Sequence, residues 1–304
     1  MADRIIRAYK GNEPLSKIAL GKFTLWESEE LILTGGEVFE WIDEETRWRI
    51  HLLTVANTSF EVFSSTKIGF FLAGAGGGGA SRHGGGGGAG GWVNNLNSPR
   101  LFQPGTYTPS LGIGGAGAPA GNDTQAQPGG ISTFLDYPAL GGGAASAGNG
   151  ACGAGGRSWT NQAGLGSQGF DGGLGVGNRT GAGGGGATEA GNPGNAPARG
   201  RGGNGLDLRE FIGAMLLDNG YCLGGGGGGT DESHNLNAGG LGGGGSGGNG
   251  INPPSSGLYG SGGGAGGMSG EVGVDSQNRP GAKGGDGFLL IRYPIANPPI
   301  SWLN

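Results

Sequence analysis

The stretch TDESHN at 230–235 puts Asp231, Glu232 and His234 side by side, a set of oxygen and nitrogen donors of the kind that takes a divalent cation. It is one short segment, without the second histidine or the cysteine that such sites draw from elsewhere. The expected reading is therefore no metal, with these three residues the only ones held in reserve. Cys152 and Cys222 lie beside glycine runs with no CxxC spacing, which fits free thiols used as small fillers. His51 lies in RWRIHLLTV, where alternation puts Trp48, Ile50 and Leu52 on one face of a strand and Arg47, Arg49 and His51 on the other, solvated face, opposite the acidic Glu40. A histidine so placed is structural rather than a general base. His83 interrupts two glycine runs and marks a turn. GxGxxG recurs through composition alone, and no copy follows a strand, opens a helix and leads to a suitably spaced acid. No GxxxxGK phosphate loop and no serine nucleophile elbow is present. The sequence predicts no catalytic residue, no enzyme and no cofactor.

What remains is the chemistry of recognition. Segments 92–103, 157–170, 187–199, 206–223, 230–238 and 251–260 carry Trp92, Phe102, Trp159, Phe170, Phe211, Tyr221 and Tyr259 among Asn, Ser and Arg. Rigid aromatics beside adaptable polar groups are what binding surfaces use. Trp92 with Asn94 and Asn95, and Trp159 with Asn161, are the expected receptor contacts. Phe102, Phe170 and Tyr259 are further candidates, and the competing role for any of these aromatics is to plug an end of the structure. ARGRGGNG at 198–205 offers two arginines, but the chain is net −5 and has neither an RNP1 pattern nor a basic stripe, so nucleic acid is not an expected partner.

The elements that must position these residues are unusual. The chain has 81 glycines and 15 prolines among 304 residues, without a Gly-X-Y period. Such a composition reads as disorder by default, because glycine loses the most backbone freedom on folding and brings no side chain to bury. Charge is distributed unevenly: residues 1–63 contain only four glycines but 18 of the 41 charged residues. This stretch reads as a small β-rich domain with a hairpin turning at Asp43 to Thr46. The expected organisation is a β-rich attachment or oligomerisation domain at 1–62, a glycine-rich body at 63–294 and a tail at 295–304. The opening MADRIIRAYKG has charges where a secretory signal would be apolar, and no run of about 20 apolar residues is present, so synthesis in a cytoplasm without membrane insertion is expected.

The body's glycine runs, such as 73–79, 84–91, 141–156, 224–229 and 239–250, alternate with turn-like inserts. Glycine disfavours an α-helix by about 1 kcal/mol per residue relative to alanine, and a glycine strand has nothing to pack on its neighbours. The polyproline II conformation remains, a rod with three residues per turn whose N–H and C=O groups all point sideways. Rods packed side by side satisfy those groups, and only glycine lets them approach. Alanine, serine and leucine within the runs are then expected to face outward or into gaps. Rods of equal length gather their loops at the two ends of a short block, with the strand at 65–74 and the closing strand at 287–294 side by side where the block meets the first domain. The fold class is thus a polyglycine II helix sandwich with short flanking strands and very little α-helix.

The succession KIGFFLAGAGGGG, PGTYTPSLGIGGAGA (104–118), GGISTF (129–134), a series of glycine blocks and GAKGGDGFLLIRYP (281–294) resembles the glycine-rich domain of tailed-bacteriophage tail fibres and tip adhesins, over about residues 60 to 294. The resemblance implies a sandwich of polyglycine II helices whose distal loops bind the host cell surface, either outer-membrane protein or lipopolysaccharide sugar. It implies a virion tail location and other tail proteins as partners through residues 1–62. A homo-oligomer is expected, a trimer on the analogy of fibres. The insert LDLREFIGAMLLDNGYC (206–222) is longer and more apolar than a typical one and reads as a short helix or an inter-subunit contact. Two other readings fit the same composition: a structural virion component with the block as a rigid spacer, and an ice-binding protein, for which the few threonines give no flat face.

Overall fold

The computed structural model describes residues 9–10, 13–14, 17–20, 23–27, 32–43, 46–121, 125–176, 179–195, 199–214, 216–230, 236–249, 251–263, 265 and 279–295. The described chain is rich in β-strand and almost devoid of helix, the single helical element among the described residues being Arg209–Ile212. Asp231, Glu232 and His234 lie outside the described residues.

The principal sheet has the order Trp92–Asn94, Thr66–Ala73, Phe288–Ile295, Thr46–Leu53, Glu37–Asp43, antiparallel throughout, with Arg100–Phe102 also pairing onto Thr66–Ala73. The expected neighbours do lie side by side, in register from Phe288↔Ala73 to Arg292↔Gly69. The other edge of this closing strand pairs with Thr46–Leu53, from Leu289↔Leu53 to Ile295↔Arg47. One sheet therefore takes strands from both ends of the chain. The run FLLIRY is apolar at nearly every position because both faces of the strand are buried. On one face Phe39, Ile50, Leu52, Phe71, Phe288 and Leu290 pack with Leu208, Ile212, Leu216 and Leu223. On the other, Leu53, Ile68, Phe70, Leu72, Leu289 and Ile291 pack with Leu33, Phe60, Val62, Phe102 and Phe134.

The first face is covered by the insert at 206–222, which does form a short helix, closed at its base by pairing of Leu206 with Cys222 and Asp207 with Tyr221. Arg292 fastens it: the guanidinium lies 4.0 Å from the Trp48 ring and 4.9 Å from the Phe211 ring and donates to the Phe211 carbonyl at 2.9 Å. Cys152 and Cys222 are buried and free in this cluster, as expected, and burial pushes the Cys152 thiol up to about 12 and Cys222 upward as well.

The face carrying Arg47, Arg49 and His51 is not solvated, contrary to expectation. The Glu40 carboxylate accepts from Arg47 Nη2 at 2.6 Å and from Arg49 Nη2 at 2.7 Å, with both arginines buried. His51 Nδ1 lies 2.7 Å from the Gly35 carbonyl oxygen. That oxygen can only accept, so Nδ1 carries the hydrogen and Nε2 accepts from the Tyr293 hydroxyl at 3.3 Å. Tyr293 comes from the closing strand, so what an isolated hairpin would leave in water is sealed by a strand more than 200 residues away. Burial lowers the His51 pKa to about 4.

The glycine runs are neither strand nor helix, and their hydrogen bonding has a period of three. The amides of Gly86 and Ala89 donate to 182 and 185, those of Gly87 and Gly90 to 263 and 260, and those of Gly88 and Gly91 to 143 and 140. Along 74–80 the partners rotate in the same way among Gly91, Gly130 and Gly285, then Gly88, Gln127 and Ala282, then Gly85. Counting acceptors as well, run 84–91 exchanges backbone hydrogen bonds with six others: those at 73–80, 140–145, 150–156, 180–187, 223–230 and 260–265. Successive runs are antiparallel; Gly74 bonds to Gly91, Gly77 to Gly88 and Ala80 to Gly85, with the reversal at Ser81 to His83, where a turn was expected.

Two details differ from the sequence reading. The stretch 141–156 is three short runs, reversing near Ser146 and Ala147 and again near Gly150, and 239–249 is two reversing at Gly242 and Gly243; Ser146, Ala147, Gly242 and Gly243 have positive φ. Parts of 157–170, 187–199 and 251–260 that read as loops are runs with backbone partners of their own, as when Gly164 bonds to Ala154, Gly191 to Asp171 and Gly257 to Lys283. Both expected placements of side chains within the runs occur: Ala75, Ala89 and Ala182 are buried in the gaps, and Ile113, Leu165, Leu174 and Leu241 face solvent. A single methyl fits in the gaps between runs, and a branched side chain does not.

Two outcomes are expected. A Cβ on Gly87 would collide with the Gly77 carbonyl oxygen, whereas the nearest atom to a Cβ on Gly69 is Leu96 Cα at 3.4 Å. Gly87→Ala should thus cost about 3 kcal/mol or more in urea unfolding and Gly69→Ala less than about 1 kcal/mol. The unfolded chain binds a proton on His51 near pH 6.5 that the folded chain refuses down to about 4. The histidine's contribution is complete above about pH 6.5 and is lost as pH falls through that window, by about 1.4 kcal/mol per pH unit. Melting curves from pH 7 to 4 should show the advantage of wild type over His51→Gln shrinking steadily.

Candidate recognition surface

Antiparallel runs put every reversal at one of two ends. Ala73 pairs with Trp92 in the sheet, so the reversals on that side form a sheet end; Ala80 and Gly85, at the far side of the same two runs, mark a free end. The free-end turns are joined by backbone bonds: Ser158 N to the His83 carbonyl at 3.2 Å, Gly229 N to the Gly84 carbonyl at 3.0 Å, Gly181 N to the Gly229 carbonyl at 2.8 Å and Gly228 N to the Gly200 carbonyl at 2.9 Å. Turns around 82, 158, 180, 200 and 229 therefore form one continuous surface.

The eight sequence candidates are not brought together. Trp92 lies at the sheet end and packs against the core. Asn95 repairs the sheet edge, its Oδ1 accepting from the Phe70 amide at 2.6 Å, while Asn94 is exposed beside it with its Oδ1 taking the Leu96 amide at 3.3 Å. Phe102 is 3% exposed and belongs to the core, and Tyr259 packs edge-on to Phe288 at 6.2 Å. Phe170 is exposed, at the sheet-end reversal where Gln168 takes the Leu140 amide. Only Trp159 and Asn161 stand at the free end. The paired tryptophans of the sequence reading are thus at opposite ends, because an odd number of runs separates the reversals that carry them.

Trp159 is 60% exposed, with its ring edge-on to His83 at 5.9 Å. Its φ is +66°, and Asn161 has φ +51°. The other non-glycine residues in this conformation at the free end are Arg82 (φ +55°), Arg179 (φ +57°) and Arg199 (φ +38°), with Ser146 and Ala147 half-buried in a turn between two runs. Each such residue costs about 1 kcal/mol or more that glycine would not. At the sheet end packing explains the strain of Leu135, Leu217, Leu223 and Tyr259, which join the two cores, while Asp136 and Asn219 are exposed turn residues of types that tolerate this conformation. At the free end Trp159, Asn161, Arg179 and Arg199 are exposed and Arg82 is half-buried, so packing does not explain them. Arg82 and Arg179 are each isolated in sequence between glycine runs, and Arg199 reads with Arg201 only as a weak nucleic-acid signal; counting the reversals puts the three on one end.

Among the described residues there is no group of His, Cys, Asp and Glu that could hold a metal, and no helix long and apolar enough to cross a membrane. Residues 54–294 match the family model of the glycine-rich domain, and the chain belongs to that family. No curated protein matches the chain.

Core and surface aromatics should separate on mutation. Phe102→Ala should cost about 3–5 kcal/mol in chemical denaturation, and Trp159→Ala no more than about 1 kcal/mol.

Proposed function

We propose that the glycine runs are polyglycine II helices bundled side by side, and that the protein is a non-enzymatic tail fibre or tip protein of a bacteriophage that binds the host cell surface through its free end. The three-residue rotation of hydrogen-bond partners and the six bonded neighbours of run 84–91 support the helix type. The observation that carries recognition is the set of exposed or half-exposed Arg82, Trp159, Asn161, Arg179 and Arg199 in left-handed backbone, in a chain with 81 glycines that could take those positions without strain. The sheet end, where residues 37–53 join the body, is then the side that attaches to other virion proteins or to further copies of the chain. Solvent-facing Ile113, Leu165, Leu174 and Leu241 favour the second reading, a structural virion block that packs laterally.

The test is competition for adsorption to cells that a phage carrying this protein infects. Wild type should block adsorption, Trp92→Tyr should block equally, and Trp159→Ala with Asn161→Ala should lose at least about tenfold in potency while melting like wild type. Should the doubly substituted protein block as well as wild type, or wild type fail to bind any such cell, the recognition reading is lost and the structural block stands.

A further inference from the structure

Three arginines of the free end have a feature in common beyond their strained backbone. Among the described residues Arg82, Arg179 and Arg199 have no ion-pair partner, and Arg82 Nε is buried without a hydrogen-bond acceptor. Elsewhere Arg47 and Arg49 pair with Glu40, Arg201 with Glu189 and Arg209 with Asp207, while Arg100 and Arg292 have no ion pair among the described residues and Arg292 is held instead by Trp48 and Phe211. The three sit on three different turns, around 82, 180 and 200, that the bonds Gly229 to Gly84, Gly181 to Gly229 and Gly228 to Gly200 hold in one corner. In that corner Thr230 is fully buried with a hydroxyl that also lacks a partner. Guanidinium groups with no ion pair among the described residues are acceptor-seeking and suit the oxygens of phosphate or carboxylate. Trp159, exposed beside them, adds a flat apolar ring, and Asn161 an amide.

We propose that Arg82, Arg179 and Arg199 form an anion-binding surface for a phosphorylated polysaccharide, whose charged groups they clasp while a sugar face lies on Trp159. The proposal rests on the reading that the free end faces the receptor. Dense polyanions such as duplex DNA are disfavoured by the net charge of −5.

The decisive variant carries Arg82→Gly, Arg179→Gly and Arg199→Gly. Because all three positions have positive φ, these changes relieve strain, and the variant should melt at the wild-type temperature or above. Binding to immobilised phosphomannan should fall at least about tenfold in the variant, and by a similar factor for wild type on the same mannan after phosphatase treatment. Excess inorganic phosphate should displace wild type from phosphomannan. Equal binding to both mannans, undiminished binding by the variant, a lowered melting temperature of the variant, failure of phosphate to compete, or equally tight binding to duplex DNA would each overturn the proposal. Wild type that blocks adsorption in a Trp159-dependent way yet ignores phosphomannan sinks the anion site alone; loss of both activities sinks the recognition reading with it.

Discussion

A buried peptide group must find a hydrogen-bond partner, and in this protein that requirement replaces the oily core over most of the chain. In run 84–91 the amides point by turns at three neighbouring runs, and three more runs donate back. At about 0.5–1.5 kcal/mol net per bond, such a lattice offsets the large entropy cost of ordering glycine. It also forbids side chains: a Cβ on most run glycines would strike a neighbouring backbone oxygen, as on Gly86 against Gly226 or on Gly184 against Gly87. Glycine content is therefore a consequence of the short distance between runs within the block rather than of flexibility.

A lattice of identical backbones has little to specify which run lies beside which. The sheet supplies that information. Its closing strand enters between Thr66–Ala73 and Thr46–Leu53 and is buried on both faces, so the last described segment of the chain is tied to the first runs of the block. The buried set of Glu40, Arg47, Arg49, His51 and Tyr293 makes this junction specific, since a shifted register would leave charges and a histidine unpaired in the interior. One end of the block is thereby committed to packing, and the other end is left with exposed side chains such as Trp159, Arg179 and Arg199.

Much of this was legible in the residues. The near absence of helix, the free buried cysteines, the turn at His83 and the adjacency of the strands at 65–74 and 287–294 follow from composition, periodicity and length. Less legible were the runs hidden in 161–168 and 253–258, where glycine is sparse and one glycine at the close approach, such as Gly164 or Gly257, is enough. Missing runs changes the count of reversals, and the count decides which end each loop occupies. Between Trp92 and Trp159 the run at 126–130 and the division of 141–156 make that count odd, which is why the two read as one surface and are at two.

The sequence by itself determined the kind of structure, rich in strand and almost without helix, because glycine runs disfavour a helix and alternating apolar segments favour strands. Tertiary structure decided which side chains are available. Whether Phe102 is a contact or a core residue, whether His51 meets water, and whether Arg82, Arg179 and Arg199 share a corner depend on long-range neighbours. Identical glycine runs carry no local signal for choosing those neighbours, so the choice appears only when all the backbone partners are in place.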